Sequence, residues 1–153
     1  MIGLKVLGIR LLPPEDSPVL LLQEDGGTRC LPIWIGHAEA AAIAMALESE
    51  VPERPLTHDL LADVVRLVAE DGAVSVDAVR EGVYEGTLTM GEASLSARPS
   101  DCVAVALRLG WPISCPRALM DQVGVEVDPA PADEVEAFRA FLDSVHADDF
   151  TDE

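Results

Sequence analysis

Hydrophobic and polar positions fall along this chain in blocks that can be read one after another. Residues 2–12 and 18–24 are rich in Leu, Val and Ile, with Pro13-Pro14 and Asp16-Ser17-Pro18 between them. They predict two strands joined by a short loop. Asp25-Gly26-Gly27 predicts a turn, Cys30 to Ile35 a third strand, and Gly36 its end. From His37 to Leu47 nearly every residue is Ala, Ile, Met or Leu. Alanine favours helix. Because polar residues stand only at the ends of this block, the helix is expected to be buried on nearly all sides. Thr57 to Ala69 is different. Leu60, Leu61, Val64, Val65, Leu67 and Val68 mark one face, and Asp63, Arg66 and Glu70 the other, an ordinary amphipathic helix.

Residues 73–97 alternate in period two, Tyr84, Leu88 and Met90 against Glu85, Thr87 and Thr89, and predict antiparallel strands with turns at Glu81-Gly82 and Gly91-Glu92. Cys102 to Leu109 is a second small-residue apolar block behind Ser100-Asp101, predicted as another buried helix over 100–109. Pro112 to Cys115 predicts a short strand, and Pro116 to Val123 a short helix ended by Gly124. Strand, turn, acidic residue and small-residue helix occur at Leu31–Leu47, with Glu39, and again at Leu95–Leu109, with Asp101. The pattern predicts an α+β fold, mixed or antiparallel sheets around central small-residue helices, with a faint internal strand-helix duplication. Asp128-Pro129-Ala130-Pro131 breaks the chain. It divides a domain at 1–127 and a linker at 128–133 from an acidic helix at 134–153, whose apolar stripe is Val135, Phe138, Phe141, Leu142 and Val145. That stripe is expected to dock on its own domain or on a protein partner.

The 153 residues, 49% of them hydrophobic, suffice for one domain with a core. No apolar run approaches the ~20 residues of a membrane span, and Met1-Ile2-Gly3-Leu4-Lys5 does not begin a signal peptide. A cytoplasmic protein is expected, with no membrane partner. Cys30, Cys102 and Cys115 form no CxxC pair and are expected to be buried free thiols. Net charge is −18, and the acidity is spread over the whole chain. Residues 128–153 hold nine acids against Arg139, while residues 1–127 hold nineteen against nine bases, among them the single lysine, Lys5. Nucleic-acid binders usually present a basic face. This chain has none in its sequence, so a polyanion partner would need metal ions to offset the field.

Candidate chemistry gathers in two runs. Arg54-Pro55-Leu56-Thr57-His58-Asp59-Leu60 is answered by Arg98-Pro99-Ser100-Asp101, each setting an Arg-Pro pair before a hydroxyl residue, an aspartate and a helix. Glu39 and His37 stand at the start of the first small-residue helix. Two readings remain open. In one, Thr57 and Ser100 cap their helices, Asp59 and Asp101 meet the helix dipoles, and Arg54 and Arg98 pair with carboxylates among Glu39, Asp59 and Asp101. In the other, the same helix starts carry chemistry.

Leu31-Pro32-Ile33-Trp34-Ile35-Gly36 with Glu39-Ala40, then the two Arg-Pro runs, then Pro112-Ile113, resemble the bifunctional nuclease domain family, long known as a bacterial domain of unknown function. The resemblance covers about residues 1–127. The segment from Glu134 to Leu142 is similar to the tail of actinobacterial members. Cys102 stands where the family often has alanine. The resemblance implies an α+β fold and a metal-dependent nuclease acting on DNA or RNA, the name deriving from plant members that act on both. Glu39, Asp59 and Asp101 would then hold a divalent ion, Mg or Mn, with His58 beside them in catalysis. Arg54, Arg98, Thr57 and Ser100 would meet the substrate. No HxH, HExxH, DxD or PD-(D/E)xK motif accompanies them. The alternative is a non-enzymatic module that binds a small anion or a protein. A homodimer is expected, the default for small proteins with two-sided sheets.

Overall fold

The computed structural model describes residues 1–126. The expected linker at 128–133 and acidic helix at 134–153 lie outside the described residues. Strands β1 (Ile2–Leu12), β2 (Ser17–Glu24) and β3 (Arg29–Trp34) form an antiparallel meander, followed by helices α1 (His37–Leu47) and α2 (Thr57–Val68). Strands β4 (Gly72–Arg80), β5 (Val83–Met90) and β6 (Ala93–Ala97) form a second meander, followed by α3 (Pro99–Leu109). Strand β7 (Ile113–Cys115), helix α4 (Arg117–Val123) and strand β8 (Val125–Glu126) complete the described chain.

All eight strands join one mixed sheet in the order β6-β5-β4-β7-β1-β2-β3-β8. Short β7 stitches the meanders together. It runs antiparallel to β1, with Leu4 opposite Ile113, and parallel to β4, with Val74 opposite the same Ile113. The faint repeat of the sequence thus corresponds to two meander-helix units. Each leading strand carries one irregularity at a similar place, between Val6 and Gly8 in β1 and between Val76 and Ala78 in β4. Such bulges bend a strand and increase its twist.

Helix α3 occupies the centre. It packs on α1, α2, β4 and β5, and its residues from Cys102 to Ala106 are buried without interruption. Ala104 and Ala106 are small enough to let neighbouring elements close in, and Leu20, Leu22, Ile43, Val74 and Met120 fill the space around them. Gly110 ends the helix in the left-handed conformation, at φ 70°, where a side chain would be strained. At one end of the sheet Arg29 clamps the β2–β3 turn to α4, its guanidinium donating to Glu24 at 2.9 Å and to Asp121 at 2.7 Å. The three cysteines are buried and unpaired, as the sequence predicts. Burial pushes the thiol of Cys102 up to about 11 and that of Cys30 up to about 12, which makes both poor nucleophiles.

Two helices depart from expectation. Burial on nearly all sides holds for α3 but not for α1, where Ala40, Ala42 and Ile43 face inward while His37, Ala38, Ala41 and Leu47 are exposed. Alanine costs little in water, so a run of alanines does not encode which side is covered. In α2 only Ala62 and Val65 are buried, and Leu60, Leu61, Val64, Leu67 and Val68 are exposed. The helix docks on α3 by the edge of its apolar stripe and leaves the stripe itself outside.

The contrast between the two alanine-rich helices is measurable by urea denaturation. Ala104→Leu should cost about 1–3 kcal/mol through overpacking, whereas Ala41→Leu should stay within about 0.5 kcal/mol of the parent. Equal losses would mean that α1 is as enclosed as α3.

Candidate functional site

The first turns of α1, α2 and α3 converge on one cleft of about 520 Å³, lined by Glu39 of α1, Thr57 and His58 of α2, and Arg98 and Asp101 at the start of α3. Its floor is apolar, made by Ala38, Ala41, Ala42 and Met45. The exposed side of α1 is therefore one wall of the site. His58 is largely covered, its side chain 12% accessible, and its Nε2 lies 2.8 Å from Oδ1 of Asp101. An ionised carboxylate only accepts hydrogen bonds, so Nε2 is the donor of this pair, and in the neutral ring Nδ1 is then the acceptor. Arg98 grips the other carboxylate oxygen, donating from Nε to Oδ2 at 2.9 Å, and its outer nitrogen lies 3.9 Å from Glu39. Glu39, His58, Arg98 and Asp101 are thus brought together from sequence positions 39 to 101.

Asp59 points elsewhere. Its Oδ1 accepts from Nε of Arg108 at 2.7 Å and its Oδ2 from the Leu56 backbone N–H at 3.0 Å, closing the start of α2. Arg108 also donates to the carbonyls of Ala104 at 2.9 Å and Ala42 at 3.0 Å. The expected partner of this region was Arg54. It is exposed and makes no ion pair among the described residues, because it stands in the loop before α2 while Arg108 reaches across from the last turn of α3. The capping roles change too. Thr57 is exposed inside the first turn of α2, with Leu56 at the cap position. Ser100 is buried in the first turn of α3 and faces a neighbouring cavity, Arg98 holding the cap position. Arg108 is the residue that the motifs missed. The available signal was a lone cation closing the apolar run from Cys102 to Leu109, which must find partners when buried.

The carboxylates do not suit a resident divalent ion as they stand. Both oxygens of Asp59 and both of Asp101 are already engaged by cations or N–H groups, and the two aspartates answer to different arginines. Among the described residues no three His, Cys, Asp or Glu side chains gather as a metal-holding group. Hard cations need several free oxygens around one point. What the cleft does offer is a carboxylate-oriented imidazole with a guanidinium beside it, an arrangement capable of moving a proton next to an anionic substrate.

The Arg108 guanidinium, helped by the Leu56 N–H, holds the Asp59 carboxyl below the usual carboxylate range. A depressed folded-state pKa adds stability that is present above the unfolded value, near ~3.9, and is lost as pH falls through the folded one. Asp59→Asn should therefore cost about 1–3 kcal/mol at pH 7. Its deficit against the parent should shrink as pH drops below about 4. A deficit in thermal unfolding that stays constant from pH 7 to pH 3 would contradict this pairing.

Comparison with known proteins accords with the ordered motifs. The description of the bifunctional nuclease domain matches residues 19–128. Uncharacterized proteins from two Mycobacterium tuberculosis strains, H37Rv and CDC 1551 / Oshkosh, are each 45% identical to this chain over 157 residues, covering 95% of it and 96% of the relative. With the domain spanning most of the chain and such identity running nearly end to end, this protein belongs to the bifunctional nuclease domain family.

Proposed function

We propose that this protein hydrolyses phosphodiester bonds of DNA or RNA in the cleft at the three helix starts. The observation that carries the reading is the His58–Asp101 pair at 2.8 Å, with Arg98 on the second carboxylate oxygen. In this mechanism Asp101 orients the imidazole, and Nδ1 of His58 takes a proton from the attacking water. The water oxygen bonds to phosphorus, the bond to the leaving sugar oxygen breaks, and that oxygen takes a proton back from His58. Arg98, with its side chain 67% accessible, meets the phosphate and its developing charge. Glu39 holds Arg98 at the cleft, while Thr57 and Ser100 line the approach. Asp59 supports the helix start and is one bond-network removed from the chemistry.

A divalent ion enters this proposal as the counter-ion of the substrate. Protein and nucleic acid are both polyanions, and the chain has one lysine to set against a net charge of −18. Three buried thiols suit a reducing cytoplasm. No helix of the described residues is long and apolar enough to cross a membrane. The test is cleavage of single-stranded DNA and RNA with Mg or Mn ions, and again in excess chelator. Cleavage should vanish in chelator and fall about 10²–10⁴-fold in His58→Ala. Asp101→Asn should fall comparably, with melting temperature followed alongside. Failure to cleave either polymer with either ion, or full activity in His58→Ala, would overturn the proposal.

A second reading, an interaction module, is favoured by a separate observation. The stripe Leu60, Leu61, Val64, Leu67 and Val68 is exposed, with Leu67 87% accessible. We propose that it pairs with the same stripe on a second copy, forming a homodimer. Its border carries both signs, Asp63 and Arg66, so two antiparallel copies can exchange that ion pair. Analytical ultracentrifugation should find a dimer that becomes monomeric in Leu60→Glu/Leu67→Glu. A monomeric parent protein at micromolar concentration would end this reading.

A further inference from the structure

We propose that the cavity on the far side of Arg98 is a nucleobase subsite. The inference rests on the reading above, in which Arg98 meets a phosphate. The cavity, about 330 Å³, adjoins the cleft and shares two residues with it, Glu39 and Arg98. Its size lies within the ~300–1,000 Å³ range of small-molecule sites. What distinguishes it is aromatic content. Residues 1–126 contain only Trp34, Tyr84 and Trp111 among Trp, Tyr and Phe, and two of these three, Trp34 and Tyr84, line this one cavity.

The elements hold both rings in place. Tyr84 is the second residue of β5, and its hydroxyl donates to the Pro32 carbonyl of β3 at 3.1 Å, fixing the ring across the opening between the two meanders. Trp34 stands at the end of β3, its inner side packed toward Val19 and Leu21. Gly36 and Gly82 contribute wall without side chains. A Cβ at Gly36 would crowd Oε1 of Glu39, so glycine there leaves the carboxylate room at the junction of the two cavities. A flat base stacks on such rings, and base–aromatic stacking contributes about 1–3 kcal/mol per base. At the junction Glu39 can accept from an amino group of the base while Arg98 holds the adjoining phosphate.

The charge balance favours such a subsite. Proteins that grip nucleic acid through many Lys and Arg residues gain affinity by releasing counter-ions, and that affinity falls steeply with salt. Here one exposed arginine faces the phosphate and the chain is strongly acidic. Beside the counter-ion, the base is then the main source of affinity, and binding should depend only weakly on salt.

The experiment compares binding of AMP and of ribose 5-phosphate by isothermal titration calorimetry on the full chain, at two salt concentrations, with Trp34→Ala and the more conservative Trp34→Leu. AMP is expected to bind at least ~10-fold more tightly than ribose 5-phosphate. The ratio should fall toward one in both Trp34 variants, with ribose 5-phosphate binding unchanged. Trp34→Leu keeps an apolar group against Val19 and Leu21, so it serves if the alanine variant does not fold. Equal binding of the two ligands, or an AMP affinity indifferent to Trp34→Leu, overturns the subsite. The outcomes separate the two proposals. Cleavage of nucleic acid together with equal binding of AMP and ribose 5-phosphate leaves the nuclease reading standing and removes the subsite. Trp34-dependent AMP binding without cleavage does the reverse.

Discussion

The helical layer depends on Arg108. Its side chain is 9% exposed, and its guanidinium reaches the Asp59 carboxylate at the start of α2, the Ala42 carbonyl in α1 and the Ala104 carbonyl in its own helix. A charge at that depth is costly unless its donors are satisfied. Satisfying them here requires three helices to be held in one relation. That relation sets the distances among the three helix starts, and the helix starts form the cleft. A second arginine, Arg66, donates to the Arg108 carbonyl at 3.1 Å and fastens the same junction from outside.

Most elements could be read in the chain. Proline and glycine punctuate its strands, and period-two alternation survives in β5, where Leu88 is buried between the less covered Thr87 and Thr89. The burial of α3 was legible because valine and leucine surround its alanines. The exposure of α1 was not, because alanine tolerates water and core alike. In α2 the apolar stripe was correctly located, but a stripe does not say which of its edges docks. At the site, the meeting of Glu39, His58, Arg98 and Asp101 follows from the repeated motif, which places each at a helix start. The replacement of Arg54 by Arg108 does not. Spacing along the sequence marks who is near in chain order, whereas Arg108 arrives from the far end of another helix.

Electrostatics shapes the cleft as much as packing does. Asp101 is shared between an imidazole and a guanidinium, and Asp59 between a guanidinium and a backbone N–H. Each carboxylate so committed is positioned rather than free, and its negative charge is largely answered within the protein. An acidic chain can in this way present a site whose local character differs from its overall charge. The apolar floor from α1 strengthens these interactions by limiting the water that would screen them.

Arg98 stands in the wall between two cavities and borders both. One guanidinium cannot serve two occupants at full strength. A ligand that draws it toward the aromatic side withdraws it from Asp101, and a ligand in the cleft that recruits it loosens it from Glu39. The occupancies of the two chambers are then linked through a single rotating side chain, and thermodynamics requires that influence to be equal in both directions.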